Sequence, residues 1–141
     1  MAATEFNQKT IDEFHARDGR GVGSWGDNLL LMTSKAAKTA RDITTPLVHR
    51  RRGDEYIVVA SKGGAPDDPM WLANVVEHPV VVVEVAAPTG TETFEARARV
   101  VASGQERDQL YAHMTEVWPA FADYETKVKR TIPVVVLSRL R

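Results

Sequence analysis

The sequence predicts an α+β fold in which a sheet of about six mostly antiparallel strands curls into a small barrel with short helices packed outside. Three observations lead there. Strand-length runs of β-branched and apolar residues recur, as at Leu29-Leu30-Leu31-Met32, Tyr56-Ile57-Val58-Val59 and Val80-Val81-Val82-Val83. Turn residues such as Gly53-Asp54 and Pro88-Thr89-Gly90 join them as hairpins. Between these pairs lie short segments with apolar residues at helical intervals.

In chain order, Phe6-Asn7 followed by Ile11, Phe14 and a closing Gly19 reads as an amphipathic helix with Asn7 as N-cap. Gly19, Gly21, Gly23 and Gly26 surround Ser24-Trp25, a loop carrying one large aromatic. Residues 29–33 and 43–49 are the next two strands. Arg51-Arg52-Gly53-Asp54 supplies a turn, and residues 56–60 close the hairpin. Two glycines and a proline in Ser61-Lys62-Gly63-Gly64-Ala65-Pro66 end that strand in a loop. Asp68 as cap and Pro69 at the first position open a helix over residues 70–77, which His78-Pro79 stops. Residues 80–85 form a buried strand. Residues 93–102 alternate Phe94, Ala96, Ala98 and Val100 with Glu95, Arg97 and Arg99, as a half-exposed strand does. Ser103 and Glu106 have capping-box spacing ahead of a helix with Leu110, Met114 and Val117 on its apolar face, ending near Trp118-Pro119. Residues 121–128 add a further helical turn or two, and residues 132–140 a last strand.

The bulk properties set limits. At 141 residues, 43% hydrophobic and 26% charged, residues 1–141 make one ordinary globular domain. The longest strongly apolar run, residues 80–83, is far shorter than the roughly 20 residues of a membrane span. The N-terminus carries no secretory pattern. The absence of cysteine excludes disulfides and thiolate metal sites and fits a reducing compartment, so the expected location is cytoplasmic. A net charge of −1 gives no general argument for nucleic acid, although Lys35, Lys38, Arg41, Arg50, Arg51, Arg52 and Lys62 form a local basic strip.

Chemistry-bearing patterns are few. His15, His49, His78 and His113 are too far apart for a local metal-ligand pair, so no metal site is expected. No nucleophile elbow, phosphate loop or dinucleotide fingerprint appears. Three segments are candidates to line one cavity. Lys38, Thr39 and Arg41 suit phosphate or carboxylate oxygens, and a solvated turn is the competing reading. The Ser61 loop has a hydroxyl, a lysine and two glycines that let backbone N–H groups approach a planar ligand, against a plain hairpin loop. Trp71 and Asn74 stand three apart on one helix face, against simple core packing of Trp71.

Thr45-Pro46-Leu47, the run from Val59 to Pro66, Pro69-Met70-Trp71-Leu72-Ala73-Asn74, His78-Pro79 and Arg130-Thr131-Ile132-Pro133-Val134 resemble, in order and spacing, the deazaflavin-dependent nitroreductase family of actinobacteria. The resemblance implies a split β-barrel, of the FMN-binding split-barrel type. It also implies an enzyme that passes hydride from reduced coenzyme F420 to an organic acceptor: a quinone, a nitroaromatic or an unsaturated lactone. By the same resemblance Lys38 and Thr39, with Arg41 beside them, hold the coenzyme's phosphate and oligoglutamate tail, and Thr44, Thr45, Pro46 and Leu47 lie along its ring. Val59, Ala60, Ser61, Lys62 and Gly63 hold the ring by backbone contacts, and Met70, Trp71 and Asn74 complete the pocket. Trp25, Phe121 and Tyr124 form the acceptor side, and Ser61 and Tyr124 are the candidate catalytic hydrogen-bond donors where negative charge develops.

One departure stands out. The family's basic loop usually reads Gly-Arg-Lys-Ser/Thr-Gly, whereas here it is Ala36-Ala37-Lys38-Thr39-Ala40. Two competing readings remain, an FMN-dependent split-barrel oxidoreductase and a non-catalytic carrier of deazaflavin, haem or lipid. The expected partner is a small-molecule acceptor, with loose association at the inner face of the membrane through the N-terminal helix as an additional expectation; oligomeric state is not readable.

Overall fold

The computed structural model describes residues 5–140, with side chains described from Asn7 onward. Residues 1–4, Arg141 and the side chain of Phe6 lie outside the described residues. The elements are α1 (Glu5–Ala16), β1 (Leu29–Lys35), β2 (Asp42–Arg52), β3 (Glu55–Val59), α2 (Met70–Glu77), β4 (Val80–Ala86), β5 (Thr91–Val101), α3 (Gln105–Val117), α4 (Ala120–Lys127) and β6 (Val134–Arg139). The strands close a barrel in the order β1-β2-β3-β6-β5-β4, every pair antiparallel. The expected α+β barrel of six strands with helices outside is therefore what the chain forms.

Where a helix covers the barrel, a strand is apolar on both faces; where none does, it alternates. Leu30 and Met32 of β1 fill the interior, while Leu29 and Leu31 pack outward against Ile11, Phe14 and Val22. In β6, Val135 and Leu137 point inward, and Val134 and Val136 meet Leu110 and Met114 of α3 and Phe121 of α4. Uncovered β4 buries Val81, Val83 and Val85 and leaves Val80 and Val82 exposed. Each fully buried aliphatic side chain contributes about 1.5–3 kcal/mol. In α1, Ile11 and Phe14 are buried on the barrel and Ala16 is exposed, and no described helix is long and apolar enough to cross a membrane.

Several expected ends moved for physical reasons. Asn7 lies inside α1 and is not its cap. The helix does end as expected, with the Gly19 N–H donating to the Phe14 carbonyl at 2.8 Å and Gly19 at φ 77°. Arg51 and Arg52 belong to β2, so only Gly53-Asp54 turns, with Gly53 at φ 63°. Asp68 does not cap α2: Pro69 holds the cap position in extended conformation, and the Asp68 carboxylate pairs with Arg130 at 2.8 Å. Gly104, not Ser103, occupies the cap of α3, and Glu106 turns to Arg99, with two hydrogen bonds of 2.9 Å. A charged partner outcompetes a backbone cap.

Candidate functional site

The first half of β2 sets up the site. Residues 42–48 pair with β1 on one side, but β3 pairs only with residues 49–52, so the ladder on the other side stops. The strand runs on past its neighbour with a free edge, which is where Pro46, lacking an N–H, is tolerated in a strand. Thr44 is fixed there by a 2.8 Å hydrogen bond between its Oγ1 and that of Thr33.

Against this edge opens a cavity of about 890 Å³. Ile43, Thr44, Thr45, Pro46, Leu47 and Val48 form one wall. Val59, Ser61, Lys62 and Gly63 come from the end of β3 and the turn after it, and Pro69, Met70, Trp71 and Asn74 from the entry to α2 and its first turns. Trp25 and Leu29, Asn7 and Thr10 of α1, Trp118, and Phe121 and Tyr124 of α4 complete the lining. Phe121 and Tyr124 meet edge to face with centroids 6.0 Å apart. The Tyr111 hydroxyl donates to the Phe121 carbonyl, which anchors α4 on α3, and burial together with nearby Glu125 pushes that phenol up to about 12.

The turn after β3 is unusual. Lys62, Gly63 and Gly64 all have left-handed backbone, at φ 49°, 64° and 85°. The Gly64 N–H donates to the Ser61 carbonyl at 3.0 Å and the Ala65 N–H to that of Lys62 at 3.2 Å. The N–H groups of Lys62 and Gly63 find no acceptor among the described residues.

Of the sequence-selected residues, Thr44, Thr45, Pro46, Leu47, Val59, Ser61, Lys62, Gly63, Met70, Trp71, Asn74, Trp25, Phe121 and Tyr124 meet in this one cavity. Four do not line it. Ala60 is fully buried, its N–H bonded to the Pro133 carbonyl and its own carbonyl to Arg130. Lys38, Thr39 and Arg41 lie exposed on the β1–β2 turn, where the Ala36 N–H bonds the Arg41 carbonyl and the Ala40 N–H bonds that of Ala36, each at 2.8 Å. That turn is tied to the cavity wall by Asn74, whose Oδ1 accepts the Ala37 N–H at 3.0 Å. Asn74 is thus a tether as well as a lining residue. Sequence reasoning missed Trp118, whose only signal is an aromatic just before a helix-ending proline, and Thr10, and it gave Asn7 only as a helix cap.

A closed barrel with an apolar cleft against the free edge of β2 and backbone donors on the adjoining turn makes a site for a flat organic ligand. A solved F420-H2 dependent reductase, FDR-A, has this fold at a TM-score of 0.70, with 32% identity over 79% of this chain and 94% of its own. A second structure, described as a domain-swapped dimer, matches at a TM-score of 0.72 with 31% identity, covering 93% of both chains. An F420H(2)-dependent quinone reductase of Mycobacterium tuberculosis is 36% identical over 130 residues, 89% of this chain and 82% of that protein. The profile of the F420H(2)-dependent quinone reductase family matches residues 7–139, and the chain belongs to that family.

The residues present fit a reduced deazaflavin. Trp71, Pro46 and Leu47 offer flat apolar surface, and the two unpaired N–H groups of Lys62 and Gly63 on the cavity turn suit the carbonyl oxygens of a planar ring.

Proposed function

We propose that this cavity is where hydride passes from reduced F420 to a quinone-class acceptor, with the whole chain acting as one domain. The observation that carries the reading is the meeting of the β2 edge, the turn with left-handed Lys62 and Gly63, and the aromatic residues Trp118, Phe121 and Tyr124 in one cavity. When bound, the coenzyme supplies the hydride, so the protein's task is to position, to exclude water and to manage one proton. Thr44, Thr45, Pro46 and Leu47 with Trp71 and Met70 receive the ring, and Lys62 and Gly63 hold its oxygens. Lys38, Thr39 and Arg41, outside the cavity but tied to it through Ala37 and Asn74, meet the anionic tail at the rim. Trp25, Trp118, Phe121 and Tyr124 form the acceptor side. Ser61 or Tyr124 donates a hydrogen bond to the acceptor oxygen as it gains negative charge, and the hydroquinone forms when that oxygen takes a proton. Nitroaromatics and unsaturated lactones present the same need for a donor at the developing charge. The reading assigns the reaction to the cytoplasm; Ile11 and Phe14 of α1 are already packed on the barrel and lend no support to a membrane contact.

The test is equilibrium titration with F420 and FMN at equal salt, followed by reoxidation of reduced F420 with menadione. Tight F420 binding with menadione turnover is expected. FMN binding at least as tight overturns the coenzyme assignment, and tight binding without turnover makes the protein a carrier.

A further inference from the structure

The turn that lines the cavity through Ser61, Lys62 and Gly63 is held from behind by a single guanidinium. Arg130 lies between α4 and β6, in sequence more than 60 residues from everything it binds, with its side chain only 16% exposed. Its Nη2 donates to the carbonyls of Ser61 at 3.0 Å and Ala65 at 3.1 Å, and its Nε reaches the Ala65 carbonyl at 3.3 Å. Its Nη1 donates to the Ala60 carbonyl at 3.3 Å and to the Asp68 carboxylate at 2.8 Å. One planar fork therefore joins both ends of the loop, with acceptors before the turn and acceptors after it. Tyr124 closes the turn from the α4 side: a side chain on Gly64 would meet its ring at 3.1 Å.

A clamp is needed there. Lys62 has a side chain and yet sits at φ 49°, between an α-region Ser61 and two left-handed glycines. Left-handed backbone is costly for a residue with a Cβ, and such a conformation persists only where its surroundings over-determine it. The hydrogen bonds within the turn are two, whereas Arg130 alone contributes five from outside.

We propose that Arg130 is a positioning residue: it holds the turn after β3, left-handed at Lys62, Gly63 and Gly64, in the form that presents the Lys62 and Gly63 N–H groups to the coenzyme. The inference rests on the reading that this turn holds the coenzyme ring. Lysine cannot replace the arginine, because a point charge satisfies Asp68 but cannot bridge three carbonyls at once.

The experiment compares wild type, Arg130→Lys and Arg130→Met in two measurements. The first is amide hydrogen exchange at Gly64 and Ala65 in the coenzyme-free protein, with the β4–β5 ladder as internal reference. Exchange at the two turn amides should quicken about tenfold in Arg130→Met and less in Arg130→Lys, with the ladder unchanged. The second is steady-state kinetics with reduced F420 and menadione. KM for the coenzyme should rise about tenfold in Arg130→Met, with an intermediate value for Arg130→Lys and kcat changed by less than about threefold. A residue that merely stabilises the fold lowers the amount of active protein, so kcat falls and KM stays; that result overturns the proposal. Unchanged exchange at Gly64 and Ala65 overturns it as well, and leaves the coenzyme reading intact. Faster exchange with an unchanged coenzyme KM shows that the turn is clamped but does not hold the coenzyme, and it is then the reading of the turn that fails.

Discussion

Two turns of this protein carry nearly the same chemistry and end in different places. The β1–β2 turn offers Lys38, Thr39 and Arg41, and the turn after β3 offers Ser61 and Lys62; each forces one residue with a side chain into left-handed backbone, Ala40 at φ 56° and Lys62 at φ 49°. The first stands exposed and is fixed to the rest of the molecule by the Ala37–Asn74 hydrogen bond. The second is gripped by Arg130 and pressed against Tyr124, and lines the cavity. Residue type selects what a turn can bind, but tertiary partners decide whether it is held rigidly enough to do so.

The hardest blow to this contrast is a side chain at Gly64. Its φ of 85° and the 3.1 Å approach to the Tyr124 ring should make Gly64→Ala cost about 2 kcal/mol, read as a lower denaturation midpoint, with coenzyme affinity reduced about tenfold. Gly63→Ala, with open space around the added atom, should pay only the backbone cost of roughly 1–2 kcal/mol. Equal losses would show that packing on Tyr124 does not set the turn.

Acid should loosen both turns together. His49 of β2 pairs with Val58 of β3, between the two strands that carry the turns, and burial pushes its pKa from 6.5 down to about 4 against a hydrogen bond to the Asn28 backbone. A histidine kept neutral in the folded state resists protonation there. Its contribution is complete above pH 6.5 and is lost as pH falls toward 4, a loss of about 3 kcal/mol. Glu106 and Glu116, held below their ordinary 4.5 by Arg99 and Arg50, add to the loss only under about pH 4.5. Urea unfolding across pH 7 to 4.5 should therefore slope downward in the wild type and flatten in His49→Gln.

Asn74→Leu leaves the Ala37 N–H without its acceptor. A loss of about 1 kcal/mol is expected, together with faster amide exchange at Ala37 and no change at Gly64. If both turns loosen, they are not independent. The smallest effect is a gain. Ala40→Gly removes the left-handed cost at φ 56°, and net stability should rise by about 0.5 kcal/mol after the added freedom of the unfolded chain is counted. No gain would mean that the strain at Ala40 is already relieved by its neighbours.

The strands were legible because their side-chain pattern is local: the apolar block at residues 29–32 and the alternation at residues 93–100 each declare a strand and whether a helix covers it. Helix caps were misread wherever an arginine elsewhere in the chain competed, as Arg130 does for Asp68 and Arg99 for Glu106, because no local spacing reveals a partner brought in by the fold. Most of the cavity was readable from the resemblance, since its residues cluster in contiguous blocks. Trp118 was not, and Arg130 carries no local signal of its role, its partners being reached only once β3 and β6 lie side by side. Of the basic strip, Lys38 and Arg41 stand exposed on the β1–β2 turn outside the cavity lining, while Arg50 and Arg52 pair with Glu116 and Glu55.

The β1–β4 seam has its own consequence. Closure of the barrel rests there on three paired residues, Leu31 with Glu84, Met32 with Val83 and Thr33 with Val82, whereas β1–β2 and β4–β5 each register seven. A cylinder closed by its shortest ladder has one line along which the loss of only three pairs would open it, while every longer ladder stays intact. When it parts, two strand edges are bared at once, each already shaped to fit the other.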